Sequence, residues 1–158
     1  MKTKSIFMCF TLFLTGSTLF AQTDWLEKFA DQKDITQVTV TKALLKMVPT
    51  ITASYDMNGL DIKEIVAKLD QIDIFSSSKE ETAKLMRKEA AAFLKNNKSF
   101  EALLIIRDNP DNVTFYAQHE GGYIKSLLMF ADDGEECTII RLLGKFTTKD
   151  IQKITEKM

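Results

Sequence analysis

The sequence predicts an α+β domain, an antiparallel β-meander sheet with helices packed on one face. Three observations lead there. From Phe100 to Leu143 the apolar residues alternate with period two, in four consecutive runs separated by short stretches of turn-formers. Before Phe100 they recur mostly at three- and four-residue spacing, and one more helical pattern follows the fourth run. Helices gathered on either side of a meander pack onto its sheet, because each has a single apolar stripe to bury.

Residues 1–21 stand apart from that fold. Lys2 and Lys4 precede an apolar run from Ile6 to Phe20, and Ala21 precedes Gln22 and Asp24, the first acidic residue. This is the pattern of a secretory leader, too short for a membrane anchor, with cleavage expected after Ala21. Residues 22–158 then form one exported domain, periplasmic or extracellular, which does not span a membrane once the leader is gone. Cys9 follows Met8 inside the apolar run rather than a small residue after it. It makes no lipid-attachment site, so the protein is not expected to be a lipoprotein.

Asp24 and Glu27 are spaced to cap a short helix carrying Trp25, Leu26, Phe29 and Ala30 on one stripe. Ile35 to Val40 is β-branched and alternating, a strand with Val38 and Val40 on one face. Thr41 caps a helical turn through Leu44, Leu45 and Val48, which Pro49 stops. Asn58-Gly59 is a turn, and Asp61 with Glu64 caps a helix in which Ile62, Ile65, Val66 and Leu69 fall at helical spacing. Ile72 to Phe75 is a short strand.

Ser78 and Glu81 are spaced as a capping box for the longest helix, whose inner face is Ala83, Met86, Ala90, Phe93 and Leu94. The four strands are Phe100 to Arg107, Val113 to Gln118, Tyr123 to Ala131 and Cys137 to Leu143. Their separators, Asp108 to Asn112, Glu120-Gly121-Gly122 and Asp132 to Glu135, are short enough to make each pair an antiparallel hairpin. Thr147 and Asp150 cap a last helix with Ile151 and Ile154 turned inward.

Composition narrows the function classes. The chain has 158 residues, the size of one domain, and 21 basic against 22 acidic residues, which excludes the basic surface a nucleic-acid binder needs. One histidine cannot supply a multi-histidine metal site, and no metal or cofactor is expected. Of the two cysteines only Cys137 outlasts the leader, so no internal disulfide forms and the core must stabilise the domain.

Few residue patterns point to chemistry. Ser76 and Lys79 have a Ser-x-x-Lys spacing at a helix start, as in penicillin-recognising acylases, but the Ser-Asp-Asn and Lys-Thr-Gly elements of those enzymes are missing. The favoured role of this segment is a helix cap. Asp132, Asp133, Glu135 and Glu136 crowd around Gly134 without the alternating oxygen ligands of a calcium loop, and Asp108 and Asp111 flank Pro110. Both groups read as solvated hairpin tips. His119 stands beside Glu120 with no serine or cysteine near it in sequence to serve as a nucleophile, and Cys137 has no activating neighbour. Asn112-Val113-Thr114 has the form of a glycosylation sequon, which matters only in a eukaryotic secretory pathway. Phe115, Tyr116, Tyr123 and Phe130 form the most useful aromatic set. Alternation sends Phe115 and Tyr116 to opposite faces, so one face is core and the other offers a binding strip, for which Tyr116 and Tyr123 are the candidates.

Several short segments together resemble a known family. They are Gly59-Leu60-Asp61 with Lys68-Leu69-Asp70, then Ile72 with Ile74-Phe75, Phe100-Glu101-Ala102-Leu103, and Val113-Thr114-Phe115-Tyr116. The last are Leu142-Leu143-Gly144-Lys145-Phe146 and Asp150-Ile151. Over Val38 to Ile154 the chain resembles domain-of-unknown-function family 4252, small exported proteins of Bacteroidetes-type bacteria. Many members look like lipoproteins, and this chain departs from them by lacking the lipid-attachment cysteine. The resemblance implies an envelope role, since members sit near envelope-stress sigma-factor genes, and it brings no activity or catalytic residue. Leader, composition and resemblance together predict a non-enzymatic interaction or ligand-binding domain of the bacterial envelope. Its partner would be an envelope protein or a small ligand, bound through the sheet face away from the helices. The alternative is a small envelope hydrolase built on the helix-start serines and the acidic loops.

Overall fold

The computed structural model describes residues 24–47 and 62–155. The leader and its cleavage site, Pro49, the Asn58-Gly59 turn and the capping role of Asp61 lie outside the described residues, as do the side chains of Glu64 and Ile154. In chain order the elements are α1 (Glu27–Ala30), β1 (Thr36–Thr41), α2 (Lys42–Leu45), α3 (Ile62–Lys68), β2 (Leu69–Ser77), α4 (Glu80–Asn96), β3 (Phe100–Asp108), β4 (Asp111–Glu120), β5 (Tyr123–Asp132), β6 (Cys137–Phe146) and α5 (Thr148–Thr155).

The class is α+β. All six strands join one antiparallel sheet in the order β1-β2-β6-β5-β4-β3, so the four-strand meander is extended by the β2–β1 pair along β6. Gly121 and Gly122, at φ +57° and +88°, close the β4–β5 hairpin with the two left-handed residues that a tight turn between twisted strands requires. The turn chemistry read from the sequence therefore sets the register that follows.

Alternation along the strands divides the side chains between two faces. One face carries Thr39, Asp73, Arg141, Leu128 and Tyr116 in one row and Phe75, Ile139 and Phe130 in the next. Helix α4 leads from β2 to the far edge strand β3 and lies on this face. Its Ala83, Met86 and Ala90 are buried against Phe75, Leu128, Cys137 and Ile139. Phe93 and Leu94 pack at the margin of this core as expected, and Leu26, which precedes α1, and Phe29 within it are fully buried, whereas Ala30 is exposed. Arg87 clamps α4 to the β5–β6 hairpin through two bonds of 2.8 Å to the Asp132 carboxylate.

The opposite face carries Val40, Ile72, Leu142, Leu127 and Ala117 in one row and Val38, Ile74, Ile140, Met129, Phe115 and Leu104 in the next. The short helices reach this side. Leu45 of α2, Val66 of α3 and Ile151 of α5 join Leu127, Ala117 and Phe146 in a second, smaller cluster. Gly144 makes this packing possible, because a Cβ there would lie 2.2 Å from the carbonyl oxygen of Lys68 at the end of α3.

Of the caps expected within the described residues, one forms as read: α1 starts after Leu26 rather than Asp24, and neither Leu26 nor Thr41, the N-cap of α2, makes a side-chain capping bond. At α5 the capping box is complete: Asp150 N–H donates to Thr147 Oγ1 at 3.3 Å, and Thr147 N–H donates to Asp150 Oδ2 at 2.7 Å. At α4 the expected Ser78–Glu81 box is absent. Strand β2 runs on through Ser77, the helix starts at Glu80, and Lys79 is an N-cap without a side-chain bond. Ser77 is buried and does the local work instead, accepting from Lys79 N–H at 3.3 Å and donating to Asp34 carbonyl at 2.6 Å.

Candidate functional site

The face turned away from α4 holds a cleft of roughly 640 Å³ between the sheet and α5. Pairing places Leu104 beside Phe115, Phe115 beside Met129 and Met129 beside Ile140, so one residue from each of four strands floors it. Leu127 and Leu142 supply the next row, and Ile151 of α5 forms a wall. The polar members of the lining are His119, Thr148 and Gln152, and among the described residues no carboxylate, lysine or arginine belongs to it. The volume falls within the roughly 300–1,000 Å³ of small-ligand sites, and such sites are mostly apolar with a few polar groups.

The wall is anchored electrostatically. Asp150, 3% exposed, accepts from Lys68 Nζ at 2.6 Å as well as from Thr147. Burial alone would raise its pKa, but the lysine and the capping bonds outweigh that and hold it at about 2. The carboxylate thus ties α5 to α3, and together with the Gly144 contact it fixes where Ile151 stands.

A second cleft, roughly 450 Å³, opens on the α4 side between Asp24–Trp25, the end of α4 and the sheet. Trp25 stacks on Phe93 with ring centroids 4.4 Å apart, and Phe93 meets Phe100 edge-on at 5.3 Å. At its base is a buried ionic network. Asp73, 2% exposed, accepts from Arg141 Nε at 3.0 Å and Nη2 at 2.6 Å, from Thr39 Oγ1 at 2.9 Å and from Gln71 Nε2 at 2.9 Å. Arg141 Nη1 donates to Asp24. Burial lowers the Arg141 pKa, and the bonds and charges of Asp24 and Asp73 more than reverse it. The arrangement satisfies a charge that would otherwise be costly to bury.

The residues singled out from sequence are dispersed. Tyr116 is half-buried and packs against the core under α4, while Tyr123 sits at the β4–β5 turn. The Tyr123 hydroxyl donates to Glu120 at 3.0 Å, which raises its pKa, and Lys145 Nζ lies 5.3 Å from its ring centroid. Neither tyrosine lines the apolar cleft, whereas Phe115 does. Phe130 packs at the margin of the α4 core. His119 lines the apolar cleft and lies 4.0 Å from Glu101, with no serine or cysteine among the described residues of that lining.

Ser76 donates to Glu136, no hydrogen bond joins it to Lys79, and neither residue lines either cleft. The acidic hairpin holds itself together: Asp133 accepts from the N–H groups of Glu136 and Glu135, which lower its pKa, and Asp132 accepts from Gly134 N–H at 2.9 Å as well as from Arg87. Among the described residues no three His, Cys, Asp or Glu side chains converge as a metal site. Asn112 Nδ2 donates to Pro110 carbonyl at 2.9 Å. Cys137 is fully buried, and burial with the nearby Asp132 charge pushes its thiol up to about 12, so it is inert as a nucleophile near neutral pH.

Sequence reasoning missed the Asp73–Arg141 pair and Ser126. The signal for the pair was present as one charged residue in the middle of each of two apolar strands, Ile72-Asp73-Ile74 and Ile140-Arg141-Leu142. Only the β2–β6 register makes them neighbours.

Residues 29–154 match the model of a family described as Domain of unknown function (DUF4252). No curated protein and no solved structure matches the chain.

Proposed function

The chain belongs to the DUF4252 family, and from that premise we propose that it is a non-enzymatic, exported ligand-binding domain of the bacterial envelope whose site is the apolar cleft beneath α5. The observation that carries this reading is the lining itself: mostly apolar side chains from four strands and one helix, with no carboxylate, lysine or arginine among the described residues. Such a surface favours a hydrocarbon portion, an acyl chain, because each CH₂ group moved out of water contributes about 0.8 kcal/mol. His119 and Thr148 stand in the lining where they can orient a polar end. The hydrolase alternative finds no support in either cleft, since Ser76, Lys79 and the acidic hairpin lie outside both linings.

The leader supports export, and no helix among the described residues is long and apolar enough to cross a membrane. Two measurements test the proposal. Mass spectrometry of the native protein should find Gln22 at the N-terminus, and a lipid-modified Cys9 or a retained Met1 would overturn export as a soluble domain. Titration of the mature protein with a fluorescent long-chain fatty acid should saturate and be reversed by unlabelled fatty acid. Met129→Lys, which places a charge on the cleft floor, should weaken binding by about tenfold or more, equivalent to about 1.4 kcal/mol. Non-saturating binding, or binding that Met129→Lys leaves unchanged, would remove the cleft as the site.

A further inference from the structure

We propose that the second cleft, on the α4 side of the sheet, is a separate binding site for a neutral sugar. It does not depend on the apolar-cleft reading, because the two linings share no residue and lie on opposite faces. The first argument is Ser126. It lines this cleft, is 3% exposed, and its hydroxyl has no hydrogen-bond partner among the described residues. Buried polar atoms in native proteins are nearly all paired, so a bare hydroxyl in the wall of a cleft marks a place where a ligand group completes the bonding.

The second argument is charge. Arg141 is compensated by Asp73 and Asp24, and Lys125 is bound to Glu120 at 2.8 Å. The lining therefore offers no unpaired cation, because Arg141 lies between two carboxylates and Lys125 is held by Glu120. A carboxylate entering here would meet no free positive charge to offset its desolvation, so the site favours a neutral sugar over an acidic one.

The third argument is the combination of aromatic walls with mixed hydrogen-bonding groups. Trp25, Phe93 and Phe100 present apolar ring surface. The Asn97 amide NH₂, the Gln118 amide carbonyl and the Trp25 indole N–H have no partner among the described residues, while Asn97 Oδ1 and Gln118 Nε2 are both engaged with Ser99. A sugar ring meets both demands. Its C–H face packs on an aromatic side chain, and its hydroxyls donate and accept in several directions at once. The volume of roughly 450 Å³ lies within the small-ligand range of about 300–1,000 Å³.

Trp25 is the only tryptophan in the sequence, so its emission reports this cleft. The mature protein is titrated with methyl β-glucoside, methyl α-mannoside and N-acetylglucosamine, and with glucuronate as the charged counterpart. The expected result is a saturable change in Trp25 emission with at least one neutral sugar, and weaker or no binding of glucuronate. Ser126→Ala should weaken that binding by about fivefold, the loss expected for one hydrogen bond. Asn97→Ala, at the end of α4, should also weaken it and provides a second variant should Ser126→Ala perturb folding. Met129→Lys in the other cleft should leave it unchanged. The proposal is overturned if none of the three neutral sugars gives a saturable response, or if glucuronate binds more tightly than they do. It also falls if Ser126→Ala raises the unfolding midpoint and leaves sugar binding as it was, because the hydroxyl is then only a packing defect.

Discussion

The two faces of the sheet are built by alternate residues of the same strands, yet they are covered differently. On one face the 17-residue helix α4 seals Phe75, Leu128 and Ile139, and Phe29 of α1, with Leu26 just before the helix, closes the margin. On the other, the described cover consists of α2, α3 and α5, with four, seven and eight residues, and it leaves a cleft over Phe115, Met129 and Ile140. The contrast separates two uses of apolar surface. Where a helix stripe matches the strands, burial stabilises the fold. Where the cover is short, the same residue types remain available to a ligand.

The largest expected effect tests the sealed face. Met86 is fully buried at the centre of α4, and Met86→Ala removes its contacts with no exposed surface to collapse into. Urea unfolding should show a loss of about 3–4 kcal/mol. Met129→Ala, half-buried on the cleft floor, should cost about 1 kcal/mol by the same measurement. Similar losses for the two methionines would mean that the second face is as fully packed as the first.

Next in size is Gly144→Ala, which acts where α3 meets β6. The added methyl would overlap the backbone carbonyl of Lys68, which cannot swing aside as a side chain can, so relief requires α3 to move. A loss of about 2–3 kcal/mol is expected, at the upper end for overpacking. Apolar-probe binding should fall with it, because α3 positions Asp150 and through it α5.

Asp150 sharpens the same point through pH. Its folded pKa is about 2, below the ordinary 3.8, so the folded state favours the carboxylate. The resulting stability is complete above about pH 4 and is lost as pH falls through about 2. The shift corresponds to about 2 kcal/mol at most, and Asp150→Asn should abolish that part of the acid dependence while costing about 1–2 kcal/mol at neutral pH. Unfolding midpoints measured between pH 5 and pH 2, values chosen to bracket that transition, provide the check. An acid profile shared by wild type and variant would show that the carboxylate does not anchor α5.

Much of this architecture is legible in the sequence, and its failures are instructive. The meander could be read because four period-two runs are joined by short turns, two of them closed by glycines at positive φ, and α4 because its stripe is long enough to be unambiguous. The Thr147–Asp150 box forms directly after β6 ends at Phe146. The Ser78–Glu81 box does not form, although β2 likewise ends one residue before Ser78: Ser77 accepts from Lys79 N–H and donates to the Asp34 carbonyl, and Lys79 becomes the N-cap. There a bond to a residue distant in sequence stands in place of the local cap. The clefts were less legible still. Alternation showed that Phe115 and Tyr116 part company, but which of them meets α4 depends on the register and on where the helix lands, and neither is encoded locally. Asp73 and Arg141 become one network only through pairing across 68 residues.

The smallest expected effect falls at the edge of the open face. Ile106 lies in β3, the terminal strand of the sheet, opposite Val113, and is 42% exposed. It is outside the lining of the apolar cleft, where Leu103 and Leu104 are the β3 members. Ile106→Thr keeps a β-branched residue at a strand position, so backbone preference is retained while exposed apolar area is removed. Monomer stability should therefore change by no more than about 0.5 kcal/mol, and binding of the fatty-acid probe should be unchanged. The measurable change should be in association, because β3 carries exposed Leu103, Ile105 and Ile106 along an edge whose outer backbone groups have no strand partner in the sheet. Light scattering at high protein concentration should show less self-association for the variant. A loss of stability comparable with that of Met86→Ala would instead place Ile106 in a packed core and erase the distinction between the two faces at this edge.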